Sequence, residues 1–259
     1  MADWTEFAHA KAFTFDVARL RRNWAKLHAA DALPLPQQAQ VLAAWALFHG
    51  GRFKEAVVMG MDAGPAGFAV VCKATAVYAR YLEPSEKNRQ TLFLDLAKRA
   101  ADHASAHPRS ACACAFYWQG YALGRYSQGI SVAKALAQGI GGKVKNALET
   151  ALALEPAHAD AHVALATFHS EVIDKVGALI GNMTYGVRKD TGLALFSKAL
   201  SLCPSSPYVL TEAAHGRLVL DSEHLSREAD ALYAQALRLA PRDAHERLVL
   251  DQAREALAG

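Results

Sequence analysis

The sequence predicts an all-α fold built as a row of antiparallel helical hairpins, and three observations carry that expectation. Hydrophobic residues make up 52% of the 259 positions, with alanine prominent among them. Alanine loses no side-chain entropy in a helix and so favours one. Runs of Val, Ile and Thr with period-two alternation, the mark of strands, are absent. One helix ending also recurs: Ala-Leu-Ala-Leu-Glu-Pro at 151–156, Ala-Leu-Ser-Leu-Cys-Pro at 199–204, Ala-Leu-Arg-Leu-Ala-Pro at 236–241, and a blurred copy ending at Pro108. The proline stops each helix because it lacks an N–H and clashes with the preceding turn. A repeated ending argues for a repeat array, in which function lies on the surface that the repeats build.

The elements follow in order. Phe13, Val17, Leu20, Trp24 and Leu27 recur at steps of three and four, predicting a helix over about residues 14–27. Asp31 can end the turn, and Pro34 and Pro36 break the chain. A second helix is expected over 37–47 around Leu42, Trp45 and Phe48. It leads into Gly50-Gly51-Arg52-Phe53-Lys54-Glu55-Ala56, read as an interhelix turn whose aromatic plugs the gap between two helices. Gly64 and Pro65 open a helix through Val70, Val71 and Tyr78 that ends near Pro84. Ser85 caps the next, where Leu92, Phe93, Leu96, Ala97 and Ala100 share a face. Further helices are expected over 110–123, 127–138 (short) and 143–154, with a flexible joint at Gly139, Gly141 and Gly142. The last hundred residues hold three more pairs, and Asp243 with Glu246 forms a capping box for the final helix. Residues 1–35 read as an N-terminal helical cap and 36–259 as the repeat domain, with insertion loops at about 124–142 and 176–189.

Several function classes find no support. A net charge of +3 calls for no nucleic-acid partner, and the one dense basic cluster, Arg19, Arg21, Arg22 and Lys26, reads as a solvated helix face. No apolar run is long enough to span a bilayer. Asp3, Glu6 and His9 stand where a secretion signal needs a basic start and an apolar stretch. Four cysteines form no disulfide framework, so a soluble protein of the reduced cytoplasm is expected. His158, His162 and His169 have helical spacing, but Ala159 stands where a zinc-protease motif needs glutamate. Cys112 and Cys114 point to different helix faces and lack a second pair. Gly139 to Lys143 imitates a phosphate loop, but Ala137 and Val144 occupy the positions of its first glycine and its hydroxyl residue. Ser127 lacks the strand-turn-helix setting of a hydrolase elbow. No catalytic residue, metal or cofactor is expected. An enzyme would need several ionisable groups converging in one cleft with shifted pKa values.

The repeat spacing narrows the fold. Pro204 to Pro241 is 37 residues and Pro156 to Pro204 is 48, against about 34 for a tetratricopeptide repeat. Val144, Leu148, Ala151 and Pro156 occupy second-helix positions in one copy, Gly192, Phe196, Ala199 and Pro204 in the next, and Ala229, Tyr233, Ala236 and Pro241 in the last. The pattern resembles the tetratricopeptide repeat and implies a right-handed superhelix of five or six hairpins. Residues 93–205 carry a narrower resemblance. Phe116-Tyr117-Trp118-Gln119-Gly120, Gln138-Gly139-Ile140, Ala161-His162-Val163-Ala164-Leu165 and Met183-Thr184-Tyr185-Gly186 follow in the order seen in two related groups. One is the regulator-of-microtubule-dynamics family and the other the TatT-type proteins that accompany TRAP transporters. The resemblance implies a helical scaffold without catalysis, which in some members encloses an apolar cavity.

Binding candidates come from two places. Phe116, Tyr117, Trp118 and Tyr121 cannot all face one way on a helix, and Tyr117 and Tyr121 share a side with Arg125. Laid over one another, the repeats put Tyr117, Tyr121, Arg125, Asp160, Val163, Thr167, Ser170 and His215 on the inner positions of first helices. The stretch 176–189 is rich in apolar residues, and Leu179, Met183 and Tyr185 can act as a lid or staple two repeats together. The expected function is a scaffold that binds a peptide or protein partner on its concave face. The alternative is an apolar cavity that carries a lipid or a small hydrophobic molecule.

Overall fold

The structure is a computed structural model that describes residues 4–107 and 113–258. Pro108, Ser110 and Cys112, used above, lie outside the described residues. Those residues form thirteen α-helices and no strand.

Local signals set most helix starts. α1 (Val17–Leu27) begins where the Asp16 carboxylate accepts the Arg19 N–H at 2.6 Å, later than the expected residue 14. α2 (Ala39–His49) and α3 (Phe53–Asp62) meet at the Gly50-Gly51 turn, where Gly51 has a φ of +83° and Phe53 is buried between the helices. α4 (Phe68–Tyr81) is followed by α5 (Glu86–Ala106), capped by Ser85 through the Asn88 N–H. α6 (Ala113–Gln128) leads to α7 (Val132–Ala137), capped by Ser131, and to α8 (Ile140–Leu154). His158 caps α9 (Ala159–Val176) by accepting the Ala161 N–H on its ring.

The stretch 176–189, expected to be a loop, holds a helix, α10 (Ala178–Tyr185). α11 (Lys189–Leu202) precedes the long α12 (Pro207–Leu237), which is kinked at Asp221 where the backbone leaves helical geometry. The Asp221 carboxylate accepts the His224 N–H there and restarts the helix. α13 (Ala244–Ala258) opens on the expected aspartate cap: Asp243 accepts the Glu246 N–H at 2.8 Å.

The recurring ending has a packing reason. Ala151, Ala199 and Ala236 are all fully buried, at points where two helices cross too closely for a larger side chain. Leu148, Phe196 and Tyr233, three residues earlier, fill the space beside them.

Consecutive helices pack in two rows. α2, α4, α6, α9 and α12 form the inner row, with α3, α5, α8 and α11 outside. α13 packs against α12 and also back against α2 and α4, so the inner row closes on itself. The segment after α1 crosses the interior. The Asp160 N–H donates to Ala30 O at 3.0 Å, and the Arg242 guanidinium to Lys26 O at 2.9 Å. Among the described residues no helix is long and apolar enough to cross a membrane.

Candidate functional site

Two regions of this closed array hold chemistry. The first is the ring interior, where inner-row helices bring ionisable side chains together. Lys73 of α4 donates to Asp31 at 2.6 Å. The Asp31 carboxylate also lies 3.0 Å from His28 Nδ1. The His28 and His49 rings meet at 3.2 Å, and His49 Nδ1 lies 2.6 Å from Asp243. Glu212 of α12 takes Arg80 at 2.5 Å and Arg125 at 2.8 Å.

Burial alone would raise the Glu212 pKa, but the two guanidinium groups outweigh it and hold the carboxyl at about 2. Burial opposes the charge on Lys73 too, yet the nearby carboxylates, Asp31 foremost, raise its pKa. Burial lowers His28 and His158 to about 4 and His245 to about 3, so these rings are neutral at pH 7. Asp160 goes the other way: burial pushes its carboxyl up to about 7.

The second region is an apolar pocket of about 110 Å³ between α6, α7, α8 and α9, with Tyr185 of α10 at one side. Ile140, Val144, Leu148, Phe168 and Val172 wall it, and Val132 and Leu136 of α7 cover it. Arg125, Gln128, Glu171 and Lys175 border it with polar groups. Gln128 donates to Glu171 at 3.3 Å, and the Lys175 ammonium lies 3.4 Å from the same carboxylate. Gly124 of α6 lines this space. A Cβ on Gly124 would meet nothing within 4 Å.

The structure separates the expected groove residues. Tyr121, Arg125 and Thr167 border the apolar pocket, with the Arg125 guanidinium over the Tyr121 ring at 5.3 Å. Tyr117 is buried, its ring 4.6 Å from that of His158, and Asp160 faces the ring interior. Val163 and Ser170 are buried in helix contacts, the Ser170 hydroxyl donating to Ala166 O at 3.0 Å. His215 is exposed on α12. Of the expected lid residues, Leu179 and Met183 project outward at 75% and 80% exposure, while Tyr185 lines the pocket.

The three spaced histidines make separate contacts. His158 caps α9, His162 bonds Pro156 O, and His169 bonds the Arg188 backbone. Among the described residues no group of three or more His, Cys, Asp or Glu is placed to hold a metal ion.

The sequence does not single out Lys73, Arg80 or Glu212, and it gives the short helix realised as α7 without its covering role. A usable signal existed for two of them. Lys73 interrupts the apolar stretch 68–79, and Glu212 interrupts 207–214, so each places a charge on a buried face.

Comparisons bear on the fold alone. Neither a family model nor a curated protein matches the sequence. The fold is similar to that of a solved structure, a thermophilic TPR protein of Thermus thermophilus, at 18% identity and a TM-score of 0.58, over 85% of this chain and 100% of that one. The chain has a tetratricopeptide-like helical-repeat fold.

Proposed function

We propose that this chain is a non-catalytic binding scaffold that recognises a protein or peptide partner by seating an apolar group of it between α6, α7, α8 and α9. One observation carries the reading: an apolar pocket, lined by Gly124 and bordered by polar groups, lies under α7 and beside α10, two short helices with uncovered apolar side chains. Val132 and Leu136 on α7, and Leu179, Ile180 and Met183 on α10, are exposed. Apolar surface rimmed by polar groups is the usual form of an interaction site.

The ring interior supports a non-catalytic role, since most of its charges are matched within the protein, as in Arg80–Glu212–Arg125 and Asp31–Lys73. A carrier of a lipid or small hydrophobic ligand is the second reading. It is favoured by the position of α7 as a cover over the pocket. The resemblance of residues 93–205 to the microtubule-dynamics and TatT-type groups belongs to that reading, with α7 and α10 standing at the two insertions. The small net charge accords with a partner other than nucleic acid, and the four cysteines with a reduced, cytoplasmic setting.

The test uses N-phenyl-1-naphthylamine, which fluoresces in apolar surroundings. The wild-type chain should bind it, and Gly124→Leu should not, because the new side chain fills the pocket. A Cβ at this position meets nothing within 4 Å, and replacing glycine adds about 1 kcal/mol of helix propensity, so the variant should stay folded. Equal fluorescence in both would contradict the proposal.

A further inference from the structure

We propose that the ring interior is a second ligand site, a polar cavity that takes a small zwitterion with its ammonium on Asp160 and its carboxylate on Lys73. The cavity measures about 130 Å³ and lies where the N-termini of α9, α12 and α13 converge. A space of roughly 10–15 Å³ on this measure holds one water, so the cavity has room for several heavy atoms.

Asp160 is the first pointer. It is 6% exposed, and its Oδ1 has no hydrogen-bond partner among the described residues. A buried acceptor left unmatched is rare and asks for a donor. Its raised pKa follows from the same isolation and would fall once an ammonium sat beside it.

Lys73 is the second pointer. Its ammonium carries three donors, and Asp31 takes one of them. The positive ends of three helices add to its preference for an anionic group.

Most other charges around the cavity are matched within the protein, and Lys26 stands exposed at its rim. Asp243 faces His49, and Arg242 holds Glu246 by both its backbone N–H and its guanidinium. His245 is held neutral by burial. A zwitterion gives Asp160 the donor it lacks and Lys73, already paired with Asp31, a further acceptor, and it adds no net charge. Tyr208 walls this cavity and also borders the apolar pocket, but the two sites are otherwise built from different residues. The proposal therefore stands independently of the binding role given to the apolar pocket.

The experiment is thermal denaturation of the full chain with L-alanine as the probe, beside acetate and methylamine as its two halves. Alanine should raise the Tm by several degrees at concentrations well above its Kd, and each half alone by much less. Asp160→Asn should remove the alanine shift. Ser205→Phe, made at an exposed position on the cavity lining, should block entry without disturbing the fold and remove it too. The proposal fails if alanine gives no shift up to its solubility limit. It fails equally if Asp160→Asn shifts as much as wild type, or if acetate alone matches alanine, which would mark an anion site instead.

Discussion

At the scale of single residues, the buried histidines and Asp160 set how stability depends on pH. His28 and His158 titrate near 4 and His245 near 3 in the folded chain, against about 6.5 when unfolded. As pH falls from about 6.5 towards 4, the unfolded chain gains three protons that the folded chain refuses, and folding weakens. Asp160 opposes this by one proton. Its folded pKa of about 7 means that the native state takes up a proton over the range in which the unfolded state stays ionised. The net uptake of about two protons on unfolding corresponds to about 2–3 kcal/mol of lost stability per pH unit near pH 5. Glu212, held at about 2 by Arg80 and Arg125 against an ordinary value of 4.5, adds a further loss below about pH 4.5. Urea denaturation at pH 7, 6 and 5 should show a falling midpoint. An unchanged midpoint over that range would mean that these rings titrate as exposed groups do.

At the scale of elements, the helices that obey the repeat and the short α7 are legible in the sequence, and α10 is not. The alanines of the recurring ending proved to be helix crossings, and Asp243 and Ser85 cap the helices they were expected to cap. Gly177, Gly181 and Gly186 have the look of breakers, which disguises α10 as a loop in the sequence. Gly181, however, serves packing: a Cβ there would lie 2.8 Å from Val187 and 3.0 Å from Val172. A local reading cannot tell a glycine that ends a helix from one that lets two segments touch.

Gly216 in α12 gives the sharpest test of such contacts. A Cβ there would lie 2.1 Å from the Phe196 ring, which is itself fully buried and cannot retreat. Gly216→Ala gains about 1 kcal/mol in helix propensity, yet should destabilise the chain by about 1–3 kcal/mol through overpacking. Chemical denaturation measures it, and a stabilised variant would show that α11 and α12 do not meet as described.

At the scale of the whole molecule, a row of hairpins becomes a ring, and this was the least legible feature. The ties that close it join residues far apart in sequence: Arg80 to Glu212 across 132 positions and His49 to Asp243 across 194. Nothing in the spacing of a repeat says where its last helix returns. Closure fills the concave face with the protein's own charges and the segment after α1. Val163 is buried in the packing of α9 on α11 and α12, Ser170 bonds within α9, and Tyr121, Arg125 and Thr167 border a separate pocket. The pocket itself depended on α7, a cover that the repeat pattern does not contain.

The most direct test of the pocket's role is native mass spectrometry of the wild-type chain and of Gly124→Leu, each isolated from the protein's own cells and measured again after denaturation. The expected result is a bound species on the wild type, a protein partner or an apolar molecule recovered in an organic extract. It should be lost on denaturation and missing from the variant. A bare wild-type mass, or the same bound species on both chains, would contradict a binding role for the pocket.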